Sequence, residues 1–282
     1  MEARKQEEIA FHDKLRSGQF EQRWSPQAEK RVADDPLWSN FKYYAIEQQS
    51  LDLMQRWLRE RCQGAAVLDY CCGNGEESLY VAKHGARKVI GIDISDVSIQ
   101  NCRESAEAAG VSDRVEFKTM DAEALDFPDD SFDLIMEYGV LHHLDLDRAM
   151  PELARVLKPG GVMVCTETLV HNPLIRWYRR RTPELRTEWE AEHIIGRKNF
   201  ATMEQHFGGI DRRFFHLATL AAVPFRSTPV FNGLLAVLRG VDAVLLSVPG
   251  LRWLAWQTVF MLSEPKKAGP VPGARDTGRG LQ

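Results

Sequence analysis

Short apolar runs alternate with helical segments through the middle of the chain, and this alternation restricts the fold more than any other feature. The runs have the length of buried strands and lie at 65–70, 88–93, 114–120, 131–138 and 161–168. Helical patterns occupy the intervals 76–84, 95–109 and 145–157. Strands that alternate with helices at this spacing form βαβ units, so the sequence predicts an α/β domain with a mostly parallel sheet.

The rhythm ends near residue 168 and is replaced by a mixed region. Two further strands are predicted at 211–219 and 253–262, with two short amphipathic helices in 220–252 between them. The predicted divisions are a helical N-terminal extension at 1–64, the core at 65–168, a substrate cap with the last strands at 169–263, and a disordered tail at 264–282, rich in Pro, Gly and charge.

Composition excludes several classes of function. The net charge of −4 argues against bulk binding to nucleic acid, which needs a cationic face. The five cysteines form no CxxC pair, so we expect no structural metal site and a reducing, cytoplasmic location. The most apolar region, 231–262, is interrupted by Arg239, Asp242 and Arg252, so no transmembrane segment is predicted.

A glycine turn with an acidic residue ahead of it follows the first predicted strand. Asp69 ends the strand, and Gly73 and Gly75 let the backbone approach a ligand closely. A carboxylate at this place suits a cationic ligand better than a pyrophosphate, which it would repel. The alternative is that Asp69 only caps the following helix.

Acidic residues also follow the next two strands. Asp93 lies about 20 residues beyond the glycines, where a carboxylate accepts hydrogen bonds from ribose hydroxyls. Asp121 is placed to accept from an adenine amine, with Ala122 beside it. Together with Asp69, these two residues describe a nucleoside-like ligand with a cationic portion, which fits S-adenosylmethionine. Asp93 has its own alternative as a cap of the helix that begins near Ser95.

Five blocks within 60–168 carry a family resemblance: LDYCCGNG, GIDIS, MDAEALDFPDDSFDLI, GVLHHL and RVLKPGG. In order and spacing they resemble class I S-adenosylmethionine-dependent methyltransferases of the ubiquinone/menaquinone type. The resemblance implies a Rossmann-like seven-stranded sheet with helices on both faces and an antiparallel last strand. It implies a cofactor loop of Asp69, Gly73 and Gly75, with Asp93 at the ribose and Asp121 and Ala122 at the adenine. Cys72, Asn74, Ile94 and Glu137 complete the predicted cofactor site, with lining of the acceptor or a buried, paired position as the alternatives for Glu137. Cys71 departs from the family, which often has glycine there.

The acceptor is expected beyond the fourth and fifth strands. His143 is the first candidate for a general base, and His142 and Glu167 are the next. Tyr138 and His171 are candidates for holding the acceptor. For either histidine of the pair, packing inside the joint between sheet and helix is the alternative. A metal site that includes Glu167 and His171 lacks a tight ligand motif, so none is predicted.

A basic cluster at 176–181 contains Arg176 and Arg179 as further candidates for the acceptor. Arginines bind phosphate or carboxylate, which favours an anionic substrate or lipid headgroup; the alternative is a solvated helix face. The apolar segment 220–252 predicts a pocket wall or a peripheral membrane contact, with core packing or a homodimer contact as alternatives.

The sequence thus predicts an enzyme that methylates a small, partly hydrophobic metabolite on oxygen or carbon, with S-adenosylmethionine as the methyl donor. A non-catalytic module that binds the cofactor or a membrane is a second interpretation. An NAD-dependent oxidoreductase is a third; Asp69 and the absence of a GxGxxG motif after the first strand argue against it.

Overall fold

The computed structural model of the protein describes residues 2–17, 24–35 and 38–267, and a seven-stranded sheet forms its centre. The strands are β1 (Ala66–Tyr70), β2 (Lys88–Asp93), β3 (Val115–Thr119), β4 (Phe132–Tyr138), β5 (Leu157–Thr168), β6 (Phe207–Phe215) and β7 (Gln257–Pro265). They lie in the order β3-β2-β1-β4-β5-β7-β6, and β7 runs antiparallel to both of its neighbours. The predicted α/β fold is confirmed.

Ten α-helices surround this sheet within the described residues. They are α1 (Ala3–Arg16), α2 (Pro26–Val32), α3 (Gln48–Cys62), α4 (Glu76–Lys83), α5 (Asp96–Ala109), α6 (Leu146–Val156), α7 (Pro173–Arg181), α8 (Glu188–His193), α9 (Arg197–His206) and α10 (Phe231–Leu245). Short 3₁₀ helices lie at Phe41–Ile46, Leu141–His143, Pro183–Leu185, Ala218–Phe225 and Leu251–Leu254. Local signals set several ends: Ser95 caps α5, and Gly110, with φ of 67°, ends it.

Each face of the sheet carries its own hydrophobic core, because successive strand residues point to opposite sides. Val67 packs with residues of α3, α4 and α5 on one face. Leu68, the next residue, packs with residues of α6 and α9 on the other face. Both side chains are fully buried. Burial on both sides explains why the strands appear in the sequence as nearly continuous apolar runs.

The C-terminal half differs from the sequence prediction in detail. The segment 220–252 contains one helix of 15 residues, α10, rather than two short helices. Pro224 lies within the 3₁₀ helix Ala218–Phe225, where the missing amide hydrogen of proline prevents a regular α-helix. Strand β7 extends to Pro265, past the predicted start of the tail at 264, and residues 268–282 of that tail lie outside the described residues.

Among the described residues, no helix combines the length and the apolar character that a bilayer span requires.

Candidate active site

Two adjoining cavities lie where the strands β1 to β5 end. The smaller one has a volume of about 110 Å³ and the larger one about 280 Å³. His12, Arg16, Tyr138, Gly139 and His143 line both of them. Ligands of parallel sheets bind at this carboxyl edge, so the cavities lie where the sequence predicts a cofactor and an acceptor.

The turn after β1 forms one wall of the smaller cavity. Gly73 has a φ of 54° and Gly75 a φ of 79°, which glycine adopts without strain. Cys71 also has a left-handed φ, of 55°, although it carries a side chain. The glycine that the family often has at this position is therefore explained by backbone geometry, and this chain maintains the same turn with a cysteine.

Asp69 lines the smaller cavity and also anchors helix α4. Its Oδ2 atom accepts hydrogen bonds from the amide of Ser78 at 3.0 Å and from the hydroxyl of Ser78 at 2.6 Å. Burial raises the pKa of Asp69 to about 7, and the nearby Glu77 adds to this effect. The capping alternative and the binding prediction are thus compatible, since one carboxyl group serves the helix and faces the cavity.

Asp93 connects the turn to the second strand. Its Oδ2 atom accepts from the amide of Gly73 at 3.0 Å, and its Oδ1 atom accepts from the amide of Ser95 at 2.9 Å. Cys72 and Ile94 lie beside it in the wall of the smaller cavity. The predicted ribose-binding carboxylate therefore lies next to the glycine turn.

Asp121 and Ala122 lie in the same wall, at the end of β3. The amide of Glu123 donates to Oδ1 of Asp121 at 2.9 Å, and Nζ of Lys5 donates to Oδ2 at 2.6 Å. Although burial alone would raise the pKa of Asp121, the bond from Lys5 lowers it below its usual value. Asp121 is therefore an ionised acceptor at neutral pH.

Three residues predicted for the cofactor do not line either cavity. Asn74 bonds to Asn101 at 3.3 Å behind the turn, and a Cβ atom on Gly75 would come within 3.0 Å of the sulfur of Cys102. Glu137 is buried, and burial together with Glu167 raises its pKa well above the usual value. Of these residues, Glu137 lies in the interior, Gly75 packs against Cys102, and Asn74 faces helix α5.

Helix α1 covers the smaller cavity, which the sequence prediction missed. Arg4, Glu8, His12 and Arg16 follow one another at intervals of four residues and all line this cavity. Such spacing places side chains on one face of a helix. The signal was present in the sequence as a stripe of polar residues, but a stripe of this kind normally faces solvent.

The two adjacent histidines have different carboxylate partners. Nδ1 of His142 lies 2.6 Å from Oε2 of Glu167, and the other oxygen of Glu167 accepts from the amide of Leu141 at 2.5 Å. Nε2 of His142 lies 3.9 Å from Oε1 of Glu190. His142 and Glu167 both line the larger cavity, so they form a buried dyad at the acceptor side.

His143 instead pairs with helix α1. Its Nδ1 atom lies 3.0 Å from Oε2 of Glu8, and Glu8 also accepts from Thr187. Burial by itself lowers the pKa of His143, but the bond to Glu8 and the charge of Glu190 raise it above the usual value. The charged form of His143 is therefore stabilised relative to that of an ordinary histidine.

Two groups within the described residues have the composition of metal ligands. They are Glu8 with His12 and His143, and His142 with His143 and Glu190, each with ligand atoms within 4.8 Å of one another. Hydrogen bonding explains the first group, because Glu8 accepts from both histidines and from Thr187. The prediction of no metal stays a prediction.

Aromatic side chains dominate the larger cavity. They are Phe11, Trp38, Phe41, Tyr43, Tyr44, Tyr138, Tyr178 and Trp256. Arg179 also lines it, and donates to Thr168 at 2.9 Å and to the carbonyl of Leu169 at 3.1 Å. Most of this surface is apolar and flat, which suits a hydrophobic or aromatic molecule.

Two acceptor candidates lie elsewhere. His171 accepts from the amide of Arg197 at 3.2 Å and packs edge-on against Trp253, outside both cavities. Arg176 is exposed on helix α7, also outside them. Of the two arginines, only Arg179 reaches the larger cavity.

The chemistry of the smaller cavity fits S-adenosylmethionine. Asp93 and Asp121 offer acceptors for an adenosine, and Asp69 offers an acceptor for an ammonium group. Among the described residues, Nη1 of Arg16 is buried without a hydrogen-bond partner. A Cβ atom on Gly73 would lie 2.5 Å from this nitrogen, so only glycine leaves the present space over the turn.

Known proteins with similar sequences are methyltransferases. A family model described as "Methyltransferase domain" matches residues 67–161. The chain is 33% identical over 147 residues to 27-O-demethylrifamycin SV methyltransferase of Amycolatopsis mediterranei, covering 48% of this chain and 54% of that protein. It is 35% identical over 122 residues to demethylmenaquinone methyltransferase of Lactiplantibacillus plantarum, covering 40% and 52%. The chain thus spans about half the length of the curated relatives it matches.

A solved structure extends the likeness of the fold over nearly the whole chain. Geranyl diphosphate C-methyltransferase from Streptomyces coelicolor A3(2) aligns with a TM-score of 0.58 at 13% identity, covering 93% of this chain and 97% of that one. Identity this low shows the fold alone. The family model, the relatives and the sheet order together confirm the resemblance to class I S-adenosylmethionine-dependent methyltransferases of the ubiquinone/menaquinone type: residues 67–161 of the chain form a methyltransferase domain.

Proposed function

We propose that the protein transfers the methyl group of S-adenosylmethionine to a small, partly hydrophobic metabolite. The observation that carries the proposal is the wall shared by the two cavities, formed by residues such as Tyr138, Gly139 and His143. Methyl transfer is an in-line displacement, so donor and acceptor must meet end to end. Two cavities in contact at one edge of the sheet provide this arrangement.

The smaller cavity would hold the cofactor, which when bound supplies an activated methyl group on a positively charged sulfur. Asp93 would accept from the ribose and Asp121 from the adenine, with Cys72, Ile94 and Ala122 packed around them. Asp69 would face the ammonium group. The proposed cofactor-binding core remains 65–168; helix α1 of the extension 1–64 lines both cavities, and residues of the cap 169–263 line the larger one.

The dyad of His142 and Glu167 is the proposed general base. If Nδ1 of His142 donates to Glu167, then Nε2 is free of a proton and faces the larger cavity. A hydroxyl or an activated carbon of the acceptor must lose a proton on methylation, and Nε2 would accept it. His143, the first candidate from the sequence, is the second candidate in this proposal, because its Nδ1 atom bonds to Glu8 of helix α1 and its pKa is raised.

The aromatic lining favours an acceptor with a ring or a conjugated chain. Two of the similar proteins are named as methyltransferases of 27-O-demethylrifamycin SV and of demethylmenaquinone, and the first name specifies an oxygen. An anionic isoprenoid or lipid-like acceptor is the second candidate, because Arg179 and Arg186 both line the larger cavity.

Calorimetric titration with S-adenosylmethionine, its demethylated product and NAD tests the cofactor. We expect tight binding of the first two and none of NAD. Binding of NAD alone would refute the proposal. Transfer of labelled methyl to hydroxylated aromatic, quinone and isoprenoid diphosphate acceptors then identifies the substrate class, and binding without transfer to any of them would favour a non-catalytic module.

The base is tested by substitution once an acceptor is known. We expect His142→Ala to lower kcat by about 10²-fold or more, with cofactor affinity unchanged. His206→Ala, at the end of α9 and outside the lining of both cavities, is the matched control and should leave kcat as it is. A wild-type rate in His142→Ala would eliminate His142 as the base.

We further propose a peripheral membrane contact through helix α10. Val237, Val241, Val244 and Val248 are exposed and recur along one face of this helix and its C-terminal end. Flotation with vesicles tests the contact, and Val241→Lys should abolish it. Sedimentation as a dimer without flotation would instead support the homodimer contact.

We propose a cytoplasmic location, since the five cysteines are all free.

A further inference from the structure

Arg16 differs from the other cations around the smaller cavity in having no carboxylate partner among the described residues. Arg4 pairs with Glu123 at 2.6 Å. Lys5 pairs with Asp121 at 2.6 Å and with Glu123 at 2.8 Å. Nη1 of Arg16 is fully buried and has no hydrogen-bond partner in the described part of the chain. A buried guanidinium nitrogen without a partner is costly, so it indicates a place for an anion.

The guanidinium lies directly over the turn that follows β1. A Cβ atom built on Gly73 would be 2.5 Å from Nη1 and 2.9 Å from Nη2. Arg16 lines both cavities, so its charged end lies where the cavities meet the turn. The side chain that comes closest to Gly73 therefore belongs to helix α1, outside the strand-and-helix core.

Two contacts fix the end of helix α1 at this place. The carbonyl of Arg16 accepts from Nδ2 of Asn101 at 3.0 Å, and Asp13 accepts from the hydroxyl of Ser95 at 2.5 Å. Ser95 caps helix α5 and Asn101 lies within it, and Asp93 lies just before this helix. The position of Arg16 is thus tied to the same elements that form the cofactor wall.

The charges of the cavity show which part of the ligand fits Arg16. S-adenosylmethionine has two cationic groups and one anionic group, the carboxylate of its methionine half. The other charged residues of the wall are acidic, as Asp69 and Asp93 are, or are cations already paired with a carboxylate, as Lys5 is with Asp121. A carboxylate placed near Asp69 would be repelled unless a cation faced it, and Arg16 is the cation nearest the turn.

We propose that Arg16 binds the carboxylate of the cofactor's methionine half and so makes helix α1 part of the cofactor site. The inference rests on the proposed function, since it presumes this cofactor. A guanidinium binds a carboxylate with two parallel hydrogen bonds, which adds both strength and orientation. Arg16 would thereby fix the direction in which the sulfur presents its methyl group to the larger cavity.

Calorimetry with two ligands tests the assignment. The probes are S-adenosylmethionine and decarboxylated S-adenosylmethionine, which lacks only the carboxylate. We expect Arg16→Met to weaken binding of S-adenosylmethionine by about 10- to 100-fold and to leave binding of the decarboxylated ligand within twofold. Arg180→Met, on an exposed part of helix α7, is the matched control and should change neither affinity.

The outcomes separate the inference from the proposed function. If the wild-type protein binds neither ligand, the proposed cofactor is wrong. If the wild type binds S-adenosylmethionine but Arg16→Met weakens both ligands equally, or weakens neither, the assignment of Arg16 is overturned. Arg16→Lys retains the charge without the planar fork, so an intermediate loss confined to the carboxylate-bearing ligand supports the assignment even if the methionine variant does not fold.

Discussion

At the scale of single residues, several side chains of the site serve structure and chemistry together. Asp69 holds the start of helix α4 through Ser78 and still faces the smaller cavity. Asp93 holds Gly73 and Ser95 in the same way. The helix-cap alternatives that the sequence leaves open are thus not exclusive, because a carboxylate has enough lone pairs for a backbone amide and a ligand.

The raised pKa of Asp69 gives a pH dependence of cofactor binding. Its carboxyl group has a pKa of about 7 in the free protein, and only the ionised form attracts an ammonium group. Below pH 7 binding must release a proton, so we expect affinity for S-adenosylmethionine to fall by up to about tenfold per pH unit between pH 7 and pH 5. Calorimetry across this range measures it. In Asp69→Asn the affinity should be lower and independent of pH here; an equal slope in both proteins would contradict the assignment.

Because the backbone at Cys71 is left-handed, replacing Cys71 with valine should destabilise the protein more than replacing Cys165 with valine. Cys71→Val places a β-branched residue at a φ of 55° and should lower the free energy of unfolding by about 1–2 kcal/mol. Cys165→Val, in the extended backbone of β5, should change it by less than about 1 kcal/mol. Urea unfolding monitored by circular dichroism compares the two, and equal losses would show that packing rather than backbone strain decides.

At the scale of elements, the C-terminal cap depends on one carboxylate in helix α10. Asp242 is buried and accepts from the amides of Leu217 at 3.3 Å and Thr219 at 3.2 Å, and from the hydroxyl of Thr219 at 2.8 Å. It also accepts from the amide of Ala218. In the sequence, Asp242 is a charged residue that interrupts the apolar run. In the structure, its carboxylate accepts hydrogen bonds from the amides at the start of the 3₁₀ helix Ala218–Phe225.

Removing this carboxylate should loosen the cap more than the core. We expect Asp242→Ala to cost about 3 kcal/mol of stability, because several backbone amides lose their acceptor together. Hydrogen exchange should show the loss of protection concentrated in 217–245. Asp211→Ala, at a partly exposed position of β6, is the control and should cost less than about 0.5 kcal/mol. Exchange that rises uniformly across the sheet would argue against a local role.

At the scale of the whole molecule, a buried polar network joins the N-terminal and C-terminal parts of the fold. The hydroxyl of Ser50 on α3 lies 3.1 Å from Nε2 of His216, just after β6, and donates to Gln257 of β7 at 2.8 Å. The same two parts also enclose the larger cavity. The larger cavity is therefore complete only when residues of the N-terminal helices and of the region around Trp256 have both packed on the sheet.

His216 makes this packing sensitive to acid. Burial, together with Arg239, lowers the pKa of His216 to about 3. A histidine whose folded-state pKa is depressed stabilises the fold above its unfolded pKa of about 6.5, and this stability is lost as the pH falls toward 3. We expect wild-type protein to lose up to roughly 4 kcal/mol over this range through His216. The loss should be absent in His216→Gln, as measured by urea unfolding at several pH values; identical pH profiles would refute it.

The sequence predicted the core closely and the cap poorly. The strands that contain Asp69, Asp93 and Glu137 lie within a residue or two of their predicted bounds, because each is a short apolar run with a clear end. Beyond residue 168 the cues are weaker. Trp253 belongs to a 3₁₀ helix rather than to the predicted strand, since isolated aromatic residues suit either structure.

The sequence by itself determined the sheet, the glycine turn and the acidic residues that follow three consecutive strands, because these depend on local periodicity and on short-range backbone geometry. Tertiary structure alone decided how the site closes. It brought Glu8 and Arg16 of helix α1 onto the cavity and paired His142 with Glu167 across two strand ends. Contacts between residues far apart in the chain leave no periodic signal, since their spacing is set by packing and not by the repeat of a helix or a strand.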